Sequence, residues 1–313
     1  MRKTVHLCLS SHDEIMYRNE ADLIMGFNCL ALAVLKTESR LMAEGFLSTH
    51  NHSLLQTDNY KEVMRSSRYS YARYFNAKYS RRGRLGEKQY FVLEVEGLYH
   101  CTSASNYVLR QGLHHGLSDT PFGYPHCSAN AIFQKELGKE TSVLSIPKEK
   151  RYLYLPEGVA ISEEYRMNEK GLLLREDIVD TAYMEEIYIS PRNFLYQMNR
   201  LSGQKEIQEQ QNENNTPPVT IDKIEAGVPE FDVKKALINE QGKVNRSILS
   251  DIQLCDIIDN KLVKRYFKDS HESSIYLLSE RQRANIGNLL WADKNLYGGK
   301  FTSTKQIMRC LAL

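Results

Sequence analysis

The sequence predicts an α+β fold, with an antiparallel sheet and packed helices followed by a mainly helical carboxyl-terminal region. Two observations carry this prediction. Four short segments alternate apolar and polar residues, as half-buried strands do, and three longer segments repeat apolar residues at helical spacing. After about residue 220 the helical period dominates. The 313 residues, 42% of them apolar, are enough to bury one large core or two ordinary ones.

The predicted elements of the first region run strand, helix, strand, strand, helix, strand, helix. The first helix is expected to begin near Asn19, because Asp22 lies three residues later in an N-cap arrangement and Leu23, Phe27 and Leu30 share one face. The predicted ranges are 4–10, 19–36, 40–47, 50–57, 60–79, 89–96 and 98–114. This is the β-α-β-β-α-β order of a ferredoxin-like antiparallel sheet, a fold that does not by itself fix a function.

Four regions are predicted along the chain. Residues 1–140 form the sheet domain. Residues 141–202 form a mixed accessory region with a short extended segment at 152–156 and further strand and helix at 171–189. Residues 203–220 are rich in Gln, Asn and Glu and end near two prolines, which is typical of a linker. Residues 221–313 form a mainly helical domain.

The end of the helical domain resembles the start of a helix-turn-helix. Helices are expected at 280–293 and 302–311, with Leu289, Leu290 and Trp291 in their core. The sequence stops at Leu313, before a recognition helix could follow. Two interpretations stay open: a trimmed DNA-binding domain, or a helical packing module.

Bulk properties exclude some classes of protein. A net charge of +2 says little about partners, because a nearly neutral chain can contain a strongly basic part. The six cysteines lack metal-binding or disulfide spacing and are expected to be free thiols in a reducing compartment. No signal peptide pattern is present, and no apolar run approaches the roughly 18 residues that span a bilayer. We expect a soluble cytoplasmic protein with no membrane partner.

A histidine pair, His50 and His52, lies in the third predicted strand. Side chains alternate across a strand, so the two imidazoles face the same way while Asn51 points to the other face. Two neighbouring imidazoles make half a metal site, and a third ligand must come from another element. With nine histidines in the chain, the pair taken alone is more often chance surface chemistry.

The helix predicted at 60–79 and the turn after it are basic and aromatic. Their cations would neutralise phosphates, and the tyrosines between them could stack on unpaired bases. The alternative is a solvated helix with its aromatic side chains, Tyr74 and Phe75 above all, in the core. The density of arginine favours nucleic acid as the partner. The predicted DNA-binding residues are Arg65, Arg68, Arg73, Lys78, Arg81, Arg82, Arg84 and Lys88.

Tyr107 and Gln111 lie four residues apart in the last predicted helix, one turn from each other on one face. If this helix packs over the sheet, it could present a phenolic nucleophile and an amide oxygen to the histidine pair. Attack of a tyrosine on a phosphodiester conserves the bond for rejoining, so no ATP site is needed. With nineteen tyrosines in the chain, the spacing alone is weak.

Together these residues resemble the single-tyrosine transposases of the HUH superfamily, in the IS200-like branch associated with repetitive extragenic palindromes (REP). The resemblance covers about the first 140 residues. It rests on short motifs in the family's order: His-Asn-His-Ser-Leu-Leu at 50–55, Tyr-Ala-Arg-Tyr-Phe-Asn at 71–76, Arg-Arg-Gly-Arg-Leu at 81–85, the Tyr107 to Leu117 helix, and Tyr-Pro-His-Cys-Ser at 124–128.

The resemblance implies roles for particular residues. Tyr107 would be the nucleophile that forms a 5′-phosphotyrosine, and His50, His52 and Gln111 would bind Mg²⁺ or Mn²⁺. The metal would polarise the scissile phosphate. The substrate would be single-stranded DNA beside a hairpin, handled by a monomer or a homodimer.

Three positions depart from the family pattern. Asn51 replaces an apolar or aromatic residue, and because it points off the metal face we expect it to affect packing rather than the metal. Ser48-Thr49 replaces Pro-Asn before the pair, and Gly86 to Gln89 replaces a Phe-Gln-x-Arg segment. The last change puts DNA contacts at that segment in doubt.

Three functions therefore remain open: an active DNA strand transferase, a domesticated non-catalytic protein that binds hairpin DNA, and a metal-dependent nuclease that uses water. They differ in whether Tyr107 is required for activity and in whether a covalent adduct between the protein and DNA forms.

Overall fold

The computed structural model describes residues 2–139, 145–199, 248–267 and 273–313. Its centre is a four-stranded antiparallel sheet in the order β2-β3-β1-β4, within a mixed α/β molecule. The strands are β1 (Lys3–Ser10), β2 (Arg40–Phe46), β3 (His50–Thr57) and β4 (Phe91–Val95). This architecture is compatible with the predicted α+β fold, while the ferredoxin-like order stays a prediction.

Four helices accompany the sheet: α1 (Glu20–Lys36), α2 (Tyr60–Lys78), α3 (Leu98–Leu109) and α4 (Gln111–His114). The Asn19 side chain accepts from the Asp22 amide at 3.1 Å, as the sequence predicts for the start of α1. The helix predicted at 98–114 is interrupted at Arg110, whose ψ of 3° ends one helix and precedes the next.

The two faces of the sheet are covered by different helices. Val5, Leu7 and Leu9 of β1 pack with α1 and α2 in one core. Cys8 of β1 and Leu54 of β3 pack with α3 in the other. Because side chains alternate along a strand, this arrangement separates the residues of β3 into two environments. His50 and His52 share a face with Leu54 and therefore lie on the α3 side.

In its described part, residues 145–199, the accessory region contains helices rather than strands. They are α5 (Lys148–Arg151), α6 (Arg175–Ile178), α7 (Thr181–Tyr188) and α8 (Pro191–Asn199). The extended segment predicted at 152–156 is wrong, because Tyr152–Tyr154 forms a 3₁₀ turn that continues α5. Arg175 attaches this region to the sheet through a buried ion pair with Glu44 of β2. Burial raises the pKa of the Glu44 carboxyl, and the guanidinium opposes that rise.

The described carboxyl-terminal part is helical, as predicted, with α9 (Asp251–Ile257), α10 (Glu280–Ala292) and α11 (Thr304–Cys310). Leu290 lies in its core, as expected. The expectation is wrong for Leu289 and Trp291, which are 47% and 60% exposed. In a helix that buries Ile286 and Leu290, four residues apart, the positions on either side of Leu290 turn outward.

This helical part packs against the sheet region through buried polar contacts. The Arg18 guanidinium donates to both Asp259 carboxylate oxygens, at 2.8 and 2.9 Å, and to the Cys310 carbonyl oxygen at 2.9 Å. The Ser48 hydroxyl, in the β2–β3 connection, donates to Asp251 at 2.6 Å. The linker predicted at 203–220 lies outside the described residues. The domain boundaries and the truncated helix-turn-helix stay predictions.

All six cysteines are free and buried, as the sequence predicts. Within the described ranges, no helix combines the length and apolar character needed to cross a membrane.

Candidate active site

The histidine pair lies on the α3 face of the sheet, near the start of β3. The ring centroids of His50 and His52 are 4.9 Å apart. Both side chains are buried, at 2% and 0% exposure. The Nδ1 atom of His50 lies 3.0 Å from the Thr49 hydroxyl. The strand alternation predicted from the sequence therefore does bring the two imidazoles together on one face.

A third histidine, His6, joins the pair from β1. Its Nε2 lies 3.1 Å from Nδ1 of His52, and the two rings stack with centroids 5.2 Å apart. The contact follows from the antiparallel register, in which His6 pairs with Leu54 and Cys8 pairs with His52. Sequence reasoning missed His6, because a single histidine in a strand forms no motif. Side chains alternate along β1, so His6 lies on the same face as Cys8. This alternation is the sequence pattern from which the position of His6 could have been predicted.

Tyr107 of α3 lies against this cluster in the same chain. Its ring centroid is 5.1 Å from that of His52 and 6.0 Å from that of His6. The next turn adds His114, with its centroid 6.3 Å from that of Tyr107, and His115, 5.3 Å from that of His50. The structure thus brings together the predicted nucleophile and the predicted histidine pair. His114 and His115 are further neighbours that the sequence did not assign.

Gln111 begins α4, directly after the interruption at Arg110. Its side-chain nitrogen donates to the Tyr107 carbonyl oxygen at 2.9 Å, which fixes the orientation of the amide. Its side-chain oxygen is buried and makes no hydrogen bond of standard geometry with the described residues, although the side chain interacts with His50. A Cβ added at Gly45 of β2 would lie 3.2 Å from the Val108 carbonyl oxygen, and 3.5 Å from the Gln111 side chain. Glycine at position 45 therefore allows the backbone of α3 to approach the sheet closely.

The histidine side chains of this site could hold Mg²⁺ or Mn²⁺ only if the amide oxygen of Gln111 is a further ligand. Among the described residues, no three His, Cys, Asp or Glu side chains are arranged to hold a metal ion. Nε2 of His52 and Oε1 of Gln111 are, however, buried polar atoms without hydrogen-bond partners in the described ranges. Buried polar groups normally have partners, so these two atoms are where a ligand would be expected. His50, His52 and Gln111 would hold the metal.

Burial keeps these imidazoles neutral, as metal ligands must be. It lowers the pKa of His50 to about 3, with smaller electrostatic contributions from Arg309 and His114 in the same direction and an interaction with the Gln111 side chain opposing them. The pKa of His52 is well below its ordinary value, first because of burial and then because of the neighbouring histidines. Burial also lowers the pKa of His6 to about 3.

Asn51, between the two histidines, points to the opposite face, as predicted. Its side-chain oxygen accepts a hydrogen bond from the Tyr17 hydroxyl at 3.1 Å. Tyr17 packs among Phe46 and Tyr71 on the α1 and α2 side of the sheet. Asn51 therefore contributes to packing on the α1 and α2 side of the sheet and not to the histidine site.

The site is enclosed in this structure. Tyr107 is 3% exposed and Gln111 is fully buried, like the histidines beside them. Arg309 of α11 is close enough for its charge to act on His50, and Nη2 of Arg309 contacts Asp251 at 3.2 Å. The carboxyl-terminal helices therefore lie beside the histidine pair. A substrate could reach Tyr107 only if the covering side chains moved.

Five of the predicted DNA-binding residues contact partners within the chain: Arg65 with Glu62, Arg68 with the Leu85 and Gly86 carbonyls, Arg73 with Glu157, Lys78 with Asp22, and Arg81 with Glu14. Arg82, Arg84 and Lys88 are exposed, and so are Arg65, Arg73 and Lys78. Phe75 is fully buried and Tyr74 half-buried, whereas Tyr69 is 65% exposed. The helix α2 lies on the sheet face opposite the histidine pair, which its position in the sequence did not reveal.

The turn after α2 borders a large cleft of about 1070 Å³. Arginines from two distant parts of the chain line it, with Arg81, Arg82 and Arg84 on one side and Arg283 of α10 on the other. Acidic side chains share the lining, namely Asp13, Glu14 and Glu87. The ion pair between Arg81 and Glu14 neutralises one charge of each sign, at 2.9 Å between Nε and Oε2.

Comparisons with known proteins add one structural likeness. No protein-family profile matches the chain, and no curated protein is significantly similar to it. A solved structure of a REP-associated tyrosine transposase bound to a REP hairpin aligns with 43% of this chain and 81% of its own, at 9% identity and a TM-score of 0.38. What the site can do is therefore argued from its own residues.

Proposed function

We propose that this protein is a metal-dependent DNA strand transferase of the single-tyrosine HUH type. It would cleave and rejoin single-stranded DNA beside hairpins through a 5′-phosphotyrosine. The observation that carries the proposal is the packing of Tyr107 against His52, one turn from the buried side-chain oxygen of Gln111. The sheet order β2-β3-β1-β4 supports assignment to the ferredoxin-like architecture, with the histidine pair on a central strand.

The chemistry follows from the groups in the site. The Tyr107 oxygen attacks the phosphorus, so an oxygen–phosphorus bond forms while the bond to the 3′ oxygen breaks. The phenol loses its proton, and the departing 3′ oxygen takes up one proton to become a hydroxyl, so the step transfers one proton overall from Tyr107 to the 3′ oxygen. Attack by a 3′ hydroxyl on the phosphotyrosine reverses the step and rejoins DNA. A bound Mg²⁺ or Mn²⁺ would supply charge stabilisation at the phosphate. The neutral imidazoles and the fixed amide would hold that ion.

A covalent adduct tests the proposal. The protein is incubated with Mn²⁺ and labelled hairpin oligonucleotides that carry randomised single-stranded flanks, and denaturing gels are read for an adduct. Wild type should form it, Tyr107→Phe should not, and Tyr99→Phe, an exposed tyrosine on the same helix, should behave as wild type. An adduct that persists in Tyr107→Phe would overturn the assignment of the nucleophile.

A second candidate is a non-catalytic protein that binds hairpin DNA. The observation in its favour is that the site residues are enclosed while Arg73, Arg82, Arg84 and Lys88 are exposed. This candidate predicts hairpin binding without an adduct, and equal binding by Tyr107→Phe and wild type. A wild-type adduct that disappears in Tyr107→Phe excludes it as the whole function. Cleavage without an adduct in either protein would instead indicate a nuclease that uses water.

A further inference from the structure

The large cleft beside the turn after α2 lies at the same end of the sheet as the histidine pair. Ser11 and Glu87 line this cleft. Ser11 follows Ser10, the last residue of β1, which pairs with His50 in the β1–β3 register. The Glu87 amide donates to the Ser10 carbonyl oxygen at 2.7 Å, and the Ser11 amide donates to the Thr49 carbonyl oxygen at 2.9 Å. Only one or two residues of neighbouring backbone therefore separate the lining of the cleft from His50.

Cations from two distant parts of the chain line the cleft. Arg82 and Arg84 of the turn are exposed, and Arg283 belongs to α10. The Arg283 Nη1 atom donates to the Leu311 and Ala312 carbonyl oxygens at 3.1 and 2.5 Å, which fixes this side chain in the wall of the cleft. Its Nε atom makes no hydrogen bond with the described residues. Because a guanidinium carries five N–H donors, these arginines suit the oxygens of a phosphate.

Acidic and apolar side chains share this lining, which narrows the class of ligand. Asp13 is exposed and Glu87 is half-buried. A ligand with only anionic groups would be repelled by these carboxylates. A nucleotide suits both kinds of charge, because its phosphate accepts hydrogen bonds and a base with an exocyclic amino group donates them. Leu277, which is 44% exposed, adds an apolar surface on which a flat base can lie.

We propose that the cleft binds the single-stranded DNA that flanks a hairpin and selects among its unpaired bases. Arg82, Arg84 and Arg283 hold phosphates, while the carboxylates of Asp13 and Glu87 accept from an exocyclic amino group. Cytosine, adenine and guanine carry such a group, and thymine does not. The volume of about 1070 Å³ is at the upper end of small-molecule sites, about 300–1,000 Å³, and suits a few nucleotides. Through Arg283, the carboxyl-terminal helices are then part of the DNA interface.

The inference rests on the proposed function for the kind of nucleic acid, but its test does not require catalysis. The full chain is titrated in EDTA with labelled hairpins whose single-stranded flank is all cytosine or all thymine, and fluorescence anisotropy measures affinity. Wild type should bind the cytosine flank about tenfold more tightly. Asp13→Ala with Glu87→Ala should abolish this preference and strengthen binding of the thymine flank, because repulsion is removed. Glu186→Ala, an exposed acid on α7, is the control and should keep the wild-type preference.

The contribution of α10 is tested through the salt dependence of the same binding. Arg283→Gln removes one phosphate contact and should reduce the salt slope by about 0.7, whereas Arg283→Lys keeps the charge and should retain the slope. Arg281→Gln is the matched control, because Arg281 is exposed on the same helix and does not line the cleft. Circular dichroism melts confirm that each variant folds.

Equal wild-type affinity for the two flanks would overturn the proposal, and so would an unchanged salt slope in folded Arg283→Gln. A cytosine preference that depends on Asp13 and Glu87, without any covalent adduct when Mn²⁺ is added, would support the cleft as a DNA site and overturn strand transfer. An adduct at Tyr107 together with equal affinity for the two flanks would overturn this inference and leave the proposed function intact.

Discussion

At the scale of single residues, the amide of Gln111 differs from the other members of the site. Its nitrogen is fixed by the Tyr107 carbonyl, while its oxygen has no hydrogen-bond partner among the described residues. A buried acceptor with no hydrogen bond of standard geometry costs free energy, which is why the proposed function assigns this oxygen to a metal ligand. Tyr107 and Gln111 are thus linked through one hydrogen bond as well as through their spacing.

Substitution of Gln111 should separate metal binding from folding. Gln111→Leu removes the amide oxygen and is expected to weaken Mn²⁺ binding about tenfold or more, since one of three protein ligands is lost. Gln111→Glu keeps an oxygen ligand and should bind Mn²⁺ at least as well as wild type does. Calorimetry with Mn²⁺ measures both. Equal affinity in Gln111→Leu and wild type would remove Gln111 from the ligand set.

Substitution of Asn51 should lower the stability of the fold and leave Mn²⁺ binding unchanged. Asn51→Ala removes the acceptor of the Tyr17 hydroxyl in the other layer, and the unfolding free energy should fall by about 1–3 kcal/mol. Mn²⁺ affinity and adduct yield should not change, because Asn51 does not face the site. Denaturant unfolding and calorimetry test this directly. A large loss of Mn²⁺ affinity with intact stability would show that the two faces of β3 are not independent.

At the scale of secondary structure, the order of strands and helices could be predicted from the sequence, but the partners across strands could not. Alternation placed His50 and His52 on one face because that rule is local. The contact between His6 and His52 depends on the register of β1 against β3, which joins residues 46 positions apart. The face that α2 covers and the interruption at Arg110 also depend on tertiary packing, so no local pattern revealed them.

The basic turn after α2 can be tested for contacts with DNA phosphates. If Arg82 and Arg84 contact the phosphates of single-stranded DNA, Arg82→Ala with Arg84→Ala should lower affinity and reduce the salt slope by about 1.4. Arg192→Ala, an exposed cation on α8, is the control and should leave the slope unchanged. Fluorescence anisotropy with a labelled hairpin oligonucleotide, over a range of salt concentrations, measures the slope. An unchanged slope in the double variant would exclude these two phosphate contacts.

At the scale of the whole molecule, buried neutral histidines make stability depend on pH. Burial lowers the pKa of His126 to about 3, as it does for His6 and His50, whereas the unfolded chain titrates near 6.5. The unfolded state therefore binds more protons below pH 6.5. The stabilisation from a neutral buried histidine is full above that pH and is lost as the pH falls toward 3.

The unfolding free energy should accordingly fall from pH 7 to pH 5 in the presence of EDTA. Each such histidine contributes a loss of about 2 kcal/mol at pH 5, as an order of magnitude. His126→Gln should make the fall shallower by one histidine's share, since its side chain does not titrate. Urea unfolding at several pH values measures this. A variant with the same pH dependence as wild type would show that His126 titrates normally in the folded protein.

The central claim is that Tyr107 becomes covalently joined to DNA. The most direct measurement is mass spectrometry of the adduct after nuclease and trypsin digestion. Cleavage after Lys88 and Arg110 leaves peptide 89–110, which contains three tyrosines, Tyr90, Tyr99 and Tyr107. Fragmentation should place the nucleotide phosphate on Tyr107. A phosphate on Tyr90 or Tyr99, or cleaved DNA with an unmodified peptide, would contradict the proposed strand transfer.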